Sequence, residues 1–194
     1  MRKKPLIPAI FTLLSVLLFF SSQALPQTTP AVGDMFPDLK LPLPQKMEER
    51  KYLRIEQGPF KLSQIDAPVL IVQIFSMYCP HCQKEAPNVN ALFQAISRKP
   101  EWKSKIKLLG LGAGNSAFEV NAFRRLYKIE FPLLPDADLS IHKRLGSVGT
   151  PYFFVLKNSP PRKLEVIYSE VGSFGQPEEF LAKIMDRAGF SKKK

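Results

Sequence analysis

Cysteine and histidine are scarce, with two of each among 194 residues. A closed tetrahedral zinc site takes four sulfur or nitrogen ligands and draws poorly on that inventory, and at most one disulfide can form within the chain. Acid is scarce relative to base. There are 17 Asp and Glu against 28 Lys and Arg, a formal net charge of +11 that falls to +8 without Arg2, Lys3 and Lys4. The excess suits acidic partners or a membrane surface, but no concentrated basic patch with interleaved aromatics is present, so no nucleic-acid partner is expected. Long apolar runs are lacking too. Ile10 to Phe20 is shorter than the roughly 20 residues that a spanning helix needs, and no other segment could span a membrane. It follows Arg2-Lys3-Lys4 and precedes Ser22-Gln23-Ala24. That is the three-part layout of a secretory signal peptide over residues 1–24, which would act as a membrane anchor if left uncleaved. Gly110-x-Gly112-x-Gly114 lacks the G-x-G-x-x-G spacing and reads as a tight turn rather than a nucleotide site.

The two cysteines stand together. Cys79-Pro80-His81-Cys82 follows the apolar run Val69-Leu70-Ile71-Val72-Gln73-Ile74-Phe75 and precedes Val89, Leu92, Phe93 and Ile96 at helical spacing. A run apolar almost throughout suits a strand covered on both faces, so the cysteines fall at a strand-to-helix junction. A disulfide closing so short a loop removes little entropy from the unfolded chain and makes a poor staple. Redox chemistry is the better reading. A thiol in the first helical turn faces unpaired backbone N–H groups and the positive end of the helix dipole, both of which favour thiolate. Cys79 is therefore the expected nucleophile, and Cys82, one turn further in, the partner that can reach it. Pro80 and His81 set the redox poise; His81 should favour the Cys79 thiolate, within a range of roughly 3.5–7.5 for such sites. A stabilised reduced form makes a stronger oxidant.

From Leu25 to Pro44 (residues 25–44) the chain is proline-rich and reads as extended and weakly structured. Tyr52-Leu53-Arg54-Ile55 and Phe60-Lys61-Leu62 flank Glu56-Gln57-Gly58-Pro59 and predict two short strands around a turn. Pro87 is expected to kink the redox helix, which should stop near Lys99-Pro100. Ile106 to Leu111 predicts a second buried strand, Gly110 to Asn115 the turn after it, and Ser116-Ala117-Phe118-Glu119 a capping box opening a helix to about Lys128. Phe131 to Leu134 reads as extended, and Asp138 to Leu145 as a short helix closed by Gly146, with His142 an ordinary histidine on it. Tyr152–Leu156 and Leu164–Tyr168 predict antiparallel neighbours around Asn158-Ser159-Pro160-Pro161. A last helix starts at Pro177 and ends at Gly189. The order predicts one α/β domain over residues 45–190, a central mixed β-sheet flanked by helices on both faces, with a solvated basic tail at 191–194.

Val32-Gly33-Asp34-x-x-Pro37-Asp38, Cys79-x-x-Cys82 with Glu85 and Pro87 behind it, and Gly149-Thr150-Pro151 before the penultimate strand together resemble the thioredoxin superfamily. Within it they are similar to the exported TlpA/ResA-like thiol-disulfide oxidoreductases, over about Val32 to Ala188. The resemblance implies a thioredoxin fold with an N-terminal β-hairpin extension. It implies a cis Thr150–Pro151 bond facing the cysteines, with the Thr150 backbone open to a bound substrate chain. Gln73 stands where many thioredoxins bury an acid that helps deprotonate the second cysteine, and Glu85 is the candidate to replace it. Tyr78 stands where the family usually has tryptophan and keeps an aromatic face there. The resemblance implies no cofactor beyond the dithiol. It implies a periplasmic or otherwise exported monomer that exchanges with protein thiols and disulfides, apocytochrome c among them, and with a membrane thiol donor or acceptor. It favours a reductase, whereas Pro80-His81 is the pair found in the periplasmic oxidase DsbA. Two rivals stand beside it. A peroxiredoxin-like peroxidase would want a proline as well as a hydroxyl ahead of its cysteine, where this chain offers only Ser76; a non-enzymatic Cu(I) carrier would use Cys79, Cys82 and His81.

Overall fold

The computed structural model describes residues 28–159 and 163–190; the expected leader (1–24), the Pro160-Pro161 turn and the basic tail (191–194) lie outside them. The N-terminal stretch is extended, as its prolines suggest, but it is packed down. Gly33 N–H donates to Val166 O at 2.8 Å and Phe36 N–H to Leu164 O at 2.7 Å, while Phe36, Leu39 and Leu41 are buried. Strand β1 (Lys40–Leu41) pairs antiparallel with β2 (Phe60–Lys61), so a β-hairpin extension is present. Its first arm is not Tyr52–Ile55. Those residues instead end helix α1 (Met47–Leu53), whose run of good helix formers carries Glu48 and Glu49 in the first turn and stops at Arg54 with φ 55°.

Every position of β3 (Val69–Phe75) is buried, and helix α2 (Pro80–Arg98) follows it. α2 is helical through Pro87, which is exposed, so the missing N–H falls on the solvent side. After the short α3 (Pro100–Lys103) comes β4 (Ile106–Ala113), buried throughout and longer than expected. Gly110 and Gly112 lie inside this strand, not in the turn after it. At Gly110 a Cβ would come within 2.5 Å of Leu133 Cδ2, so a side chain there would collide with the neighbouring strand.

Helix α4 (Ala117–Tyr127) opens on the expected capping box: Ser116 Oγ accepts from Glu119 N–H, and the Glu119 carboxylate accepts from Ser116 N–H. Strand β5 (Leu133–Asp136), α5 (Ser140–Arg144), β6 (Tyr152–Ser159), β7 (Lys163–Val171) and α6 (Pro177–Arg187) complete the chain. The main sheet has the order β5-β4-β3-β6-β7, parallel from β3 to β5 and antiparallel through β6 and β7. Alternation along β3 divides the core. Val69, Ile71 and Phe75 meet Val89, Leu92, Phe123 and Leu181 of α2, α4 and α6. Leu70, Val72 and Ile74 meet Phe36, Leu39, Leu53 and Ile141 on the other face.

Candidate active site

Cys79 is the N-cap of α2. Its φ and ψ, −84° and 115°, are extended, and its C=O accepts from Gln83 N–H at 3.1 Å. Pro80 takes the first helical position, where its missing N–H costs nothing. Pro80 and His81 are exposed, Cys79 is half-buried and Cys82 is completely buried; both cysteines are free thiols. The Cys79 thiol donates to Thr150 O at 3.2 Å, and Thr150–Pro151 is a cis peptide. Dithiol and cis-proline loop, 71 residues apart in the chain, thus face each other.

The two thiols are pulled in opposite directions. For Cys79 burial pushes upward as the largest single influence, but the Thr150 side chain, the backbone of Cys82 and His81 and the Cys82 thiol together outweigh it. The result lies below the ordinary cysteine value. Cys82 is pushed up to about 12, first by burial and further by the Cys79 side chain, against an opposing hydrogen bond with the Ser76 backbone. A site of this kind holds one thiol ready to ionise and keeps the other protonated.

The remaining candidates fall around this pair. Thr150 is held by its neighbours: Gly172 N–H donates to Pro151 O at 2.8 Å, and His142 Nε2 lies 2.8 Å from Val148 O, tying α5 to the same loop. Tyr78 is 66% exposed beside Cys79, and its hydroxyl donates to the Glu119 carboxylate, joining the redox loop to the start of α4. Glu85 is buried on α2, but its Oε1 accepts from Asn88 Nδ2 at 2.8 Å and Ser173 Oγ at 3.0 Å. The carboxylate therefore ties α2 to the loop before α6. Gln73 is 2% exposed and lies on the α2 side of β3 with Ile71 and Phe75. Among the described residues no three His, Cys, Asp or Glu side chains gather as a set of metal ligands.

Sequence reading missed three side chains that grip the redox loop or its surroundings: Asn115, Gln83 and Ser173. Asn115 Oδ1 accepts from Met77 N–H at 2.9 Å, and Gln83 Nε2 donates to Met77 O at 2.8 Å. Gln83 follows Cys82 directly and could have been found from a helix-start argument. Asn115 and Ser173 carry no local signal, because their partners lie 38 and 88 residues away.

Residues 32–167 match the AhpC/TSA family. The thiol-disulfide oxidoreductase ResA of Bacillus thuringiensis subsp. konkukian is 24% identical over 131 residues, 67% of this chain and 71% of ResA. Among solved structures, a Chlorobium tepidum protein assigned as thiol:disulfide interchange protein DsbE has a TM-score of 0.63 at 19% identity, covering 83% of this chain and 100% of its own. A secreted Mycobacterium tuberculosis disulfide oxidoreductase, homologous to DsbE of E. coli, has a TM-score of 0.51 at 16% identity over 66% of this chain and 87% of its own. These neighbours share the thioredoxin fold, ResA is similar in sequence, and the family match spans most of the described residues: the chain belongs to the AhpC/TSA family.

Proposed function

We propose that this thiol-disulfide oxidoreductase acts outside the cytoplasm, exchanging disulfides with protein substrates through Cys79 and Cys82 in the reducing direction. One observation carries the reading: Cys79 is accessible at the head of α2, with its sulfur 3.2 Å from Thr150 O and its thiol below the ordinary value, while Cys82 behind it is sealed and protonated. The signal-peptide pattern at 1–24 supports export.

The Cys79 thiolate attacks one sulfur of a substrate disulfide, whose S–S bond breaks as the mixed disulfide forms. The departing substrate sulfur leaves as thiolate and takes up a proton. The substrate chain lies along Thr150 and Pro151 while it is attached. Cys82 then loses its proton and attacks the Cys79 sulfur, releasing the second substrate thiolate and leaving a Cys79–Cys82 disulfide. Two electrons have passed to the substrate. A thiol donor at the membrane restores the dithiol. Deprotonating Cys82 is the demanding step, given its high value, and Glu85 is the candidate base, since Gln73 cannot exchange a proton. Apocytochrome c, with its paired cysteines joined as a disulfide, is a candidate substrate.

Cys82→Ala should accumulate a reductant-sensitive mixed disulfide between Cys79 and oxidised insulin, detected by mass. No adduct under conditions where Cys79 is reduced would remove the exchange reading. Direction is read from the reduction potential of the pair. A value near roughly −270 mV gives a reductase, and one near roughly −120 mV gives an oxidant ruled by His81.

A further inference from the structure

The link from β3 to α2 is gripped from both sides. Met77, two residues before Cys79, gives its N–H to Asn115 Oδ1 at 2.9 Å and receives Gln83 Nε2 on its C=O at 2.8 Å. Cys79 N–H then closes the turn onto Ser76 O at 3.1 Å. Asn115 is completely buried, and the chain makes room for it. At Gly112 an added Cβ would lie 2.9 Å from Val120 Cγ2, 3.1 Å from Asn115 Cβ and 3.3 Å from its Oδ1, so any larger residue there would crowd the amide. The glycine pattern around 110–114 thus has a use that its sequence does not announce.

The second half of the Asn115 amide is unused. Its Nδ2 is buried with no hydrogen-bond partner among the described residues. A buried donor left unpaired is costly, and an apolar residue would avoid that cost unless the oxygen were needed. The oxygen's partner is the Met77 N–H of the redox loop. Charge also matters here. Aspartate would accept the same bond but would bury a negative charge near the loop that carries the thiolate, which disfavours ionisation.

The geometry points to Asn115 as a positioning residue for disulfide exchange: through Met77 it holds the Ser76–Cys79 turn, and so keeps the Cys79 sulfur against Thr150 at the head of α2. This rests on the exchange function proposed above.

The test compares the full chain with Asn115→Ala and Asn115→Asp. The pH dependence of iodoacetamide alkylation at Cys79 is followed beside the rate of exchange with oxidised insulin, and Cys82 is too buried to react. Asn115→Ala is expected to raise the alkylation midpoint and to slow exchange at pH 7 by about tenfold. Asn115→Asp, which keeps the acceptor, is expected to raise the midpoint as well yet to recover exchange at alkaline pH. If Asn115→Ala lowers only the unfolding midpoint and leaves alkylation and exchange as in the parent chain, the role is structural and the proposal is overturned. Should Asn115→Ala fail to fold, amide hydrogen exchange of the parent chain decides. Met77 protected like the β3 amides supports the grip, and Met77 exchanging as an open loop overturns it. A parent chain inactive on insulin whose alkylation midpoint still moves in Asn115→Ala would refute the proposed function while leaving the positioning of Cys79 intact.

Discussion

Two of the places where polar groups are buried, the flank beyond β4 and the redox end, are built differently. On the flank beyond β4, the groups are charged and matched. Arg124, 7% exposed, pairs with Glu49, 6% exposed, and donates from Nη2 to Leu133 O at 3.2 Å. Lys107 lies 4.3 Å from the centre of the Tyr52 ring, and Tyr52 Oη accepts Leu108 N–H at 2.8 Å on a stretch of β4 that β5 does not reach. At the redox end the Cys82 thiol and the Gln73 and Asn115 amides are neutral, Asn115 Nδ2 has no partner among the described residues, and the buried Glu85 carboxylate is held by hydrogen bonds from Asn88 and Ser173 rather than by a countercharge. A buried charge demands a countercharge or several hydrogen bonds, whereas a neutral thiol or amide can be buried with less. The flank therefore holds shape, and the redox end leaves ionisation of its thiols to burial and backbone dipoles.

The largest effect that separates the two regions belongs to the ion pair. Arg124→Ala leaves Glu49 buried and alone and should lower unfolding stability by about 3–5 kcal/mol, while the Cys79 alkylation midpoint stays where it was. Urea unfolding measures the first and alkylation the second; a moved midpoint would mean that the two regions are coupled. Replacing both partners, as in Glu49→Leu with Arg124→Met, should restore most of the loss, because no lone charge remains.

A smaller effect appears in alkali. Cys82 is held up to about 12 in the folded chain and Tyr52 is raised as well, both chiefly by burial. Groups raised on folding add stability that is fully present below their unfolded values and is lost as pH rises toward the folded ones. The reduced protein should therefore become progressively less stable above about pH 9. Urea midpoints along that range should fall less steeply for Cys82→Ala, which removes the redox-end contribution, and for Tyr52→Phe, which removes that of the flank. A slope unchanged in Cys82→Ala would show that its thiol is not sealed.

Much of the frame can be read locally. The apolar run Val69 to Phe75, the Ser116–Glu119 capping box and Pro177 at the first turn of α6 each carry their own instruction within a few residues. The hairpin extension was harder. Tyr52 to Ile55 has strand-like composition, but the helix formers before it and the Glu49–Arg124 pair carry the chain into α1, and a two-residue strand at Lys40–Leu41 takes the vacant place. Strands that short leave almost no pattern. Glu85 shows the same limit at the site: its position after Cys82 is plain, but its bond to Ser173 follows from how α6 approaches α2.

The sequence by itself determined where the dithiol stands, because strand, N-cap and helix are all coded within the stretch from Val69 to Ile96, and helix polarity alone favours thiolate at Cys79. Tertiary structure decided how unlike the two thiols become. Burial of Cys82 and the Thr150 side chain beside Cys79 each join groups brought together only by the sheet, and desolvation and hydrogen bonding act through space rather than along the chain.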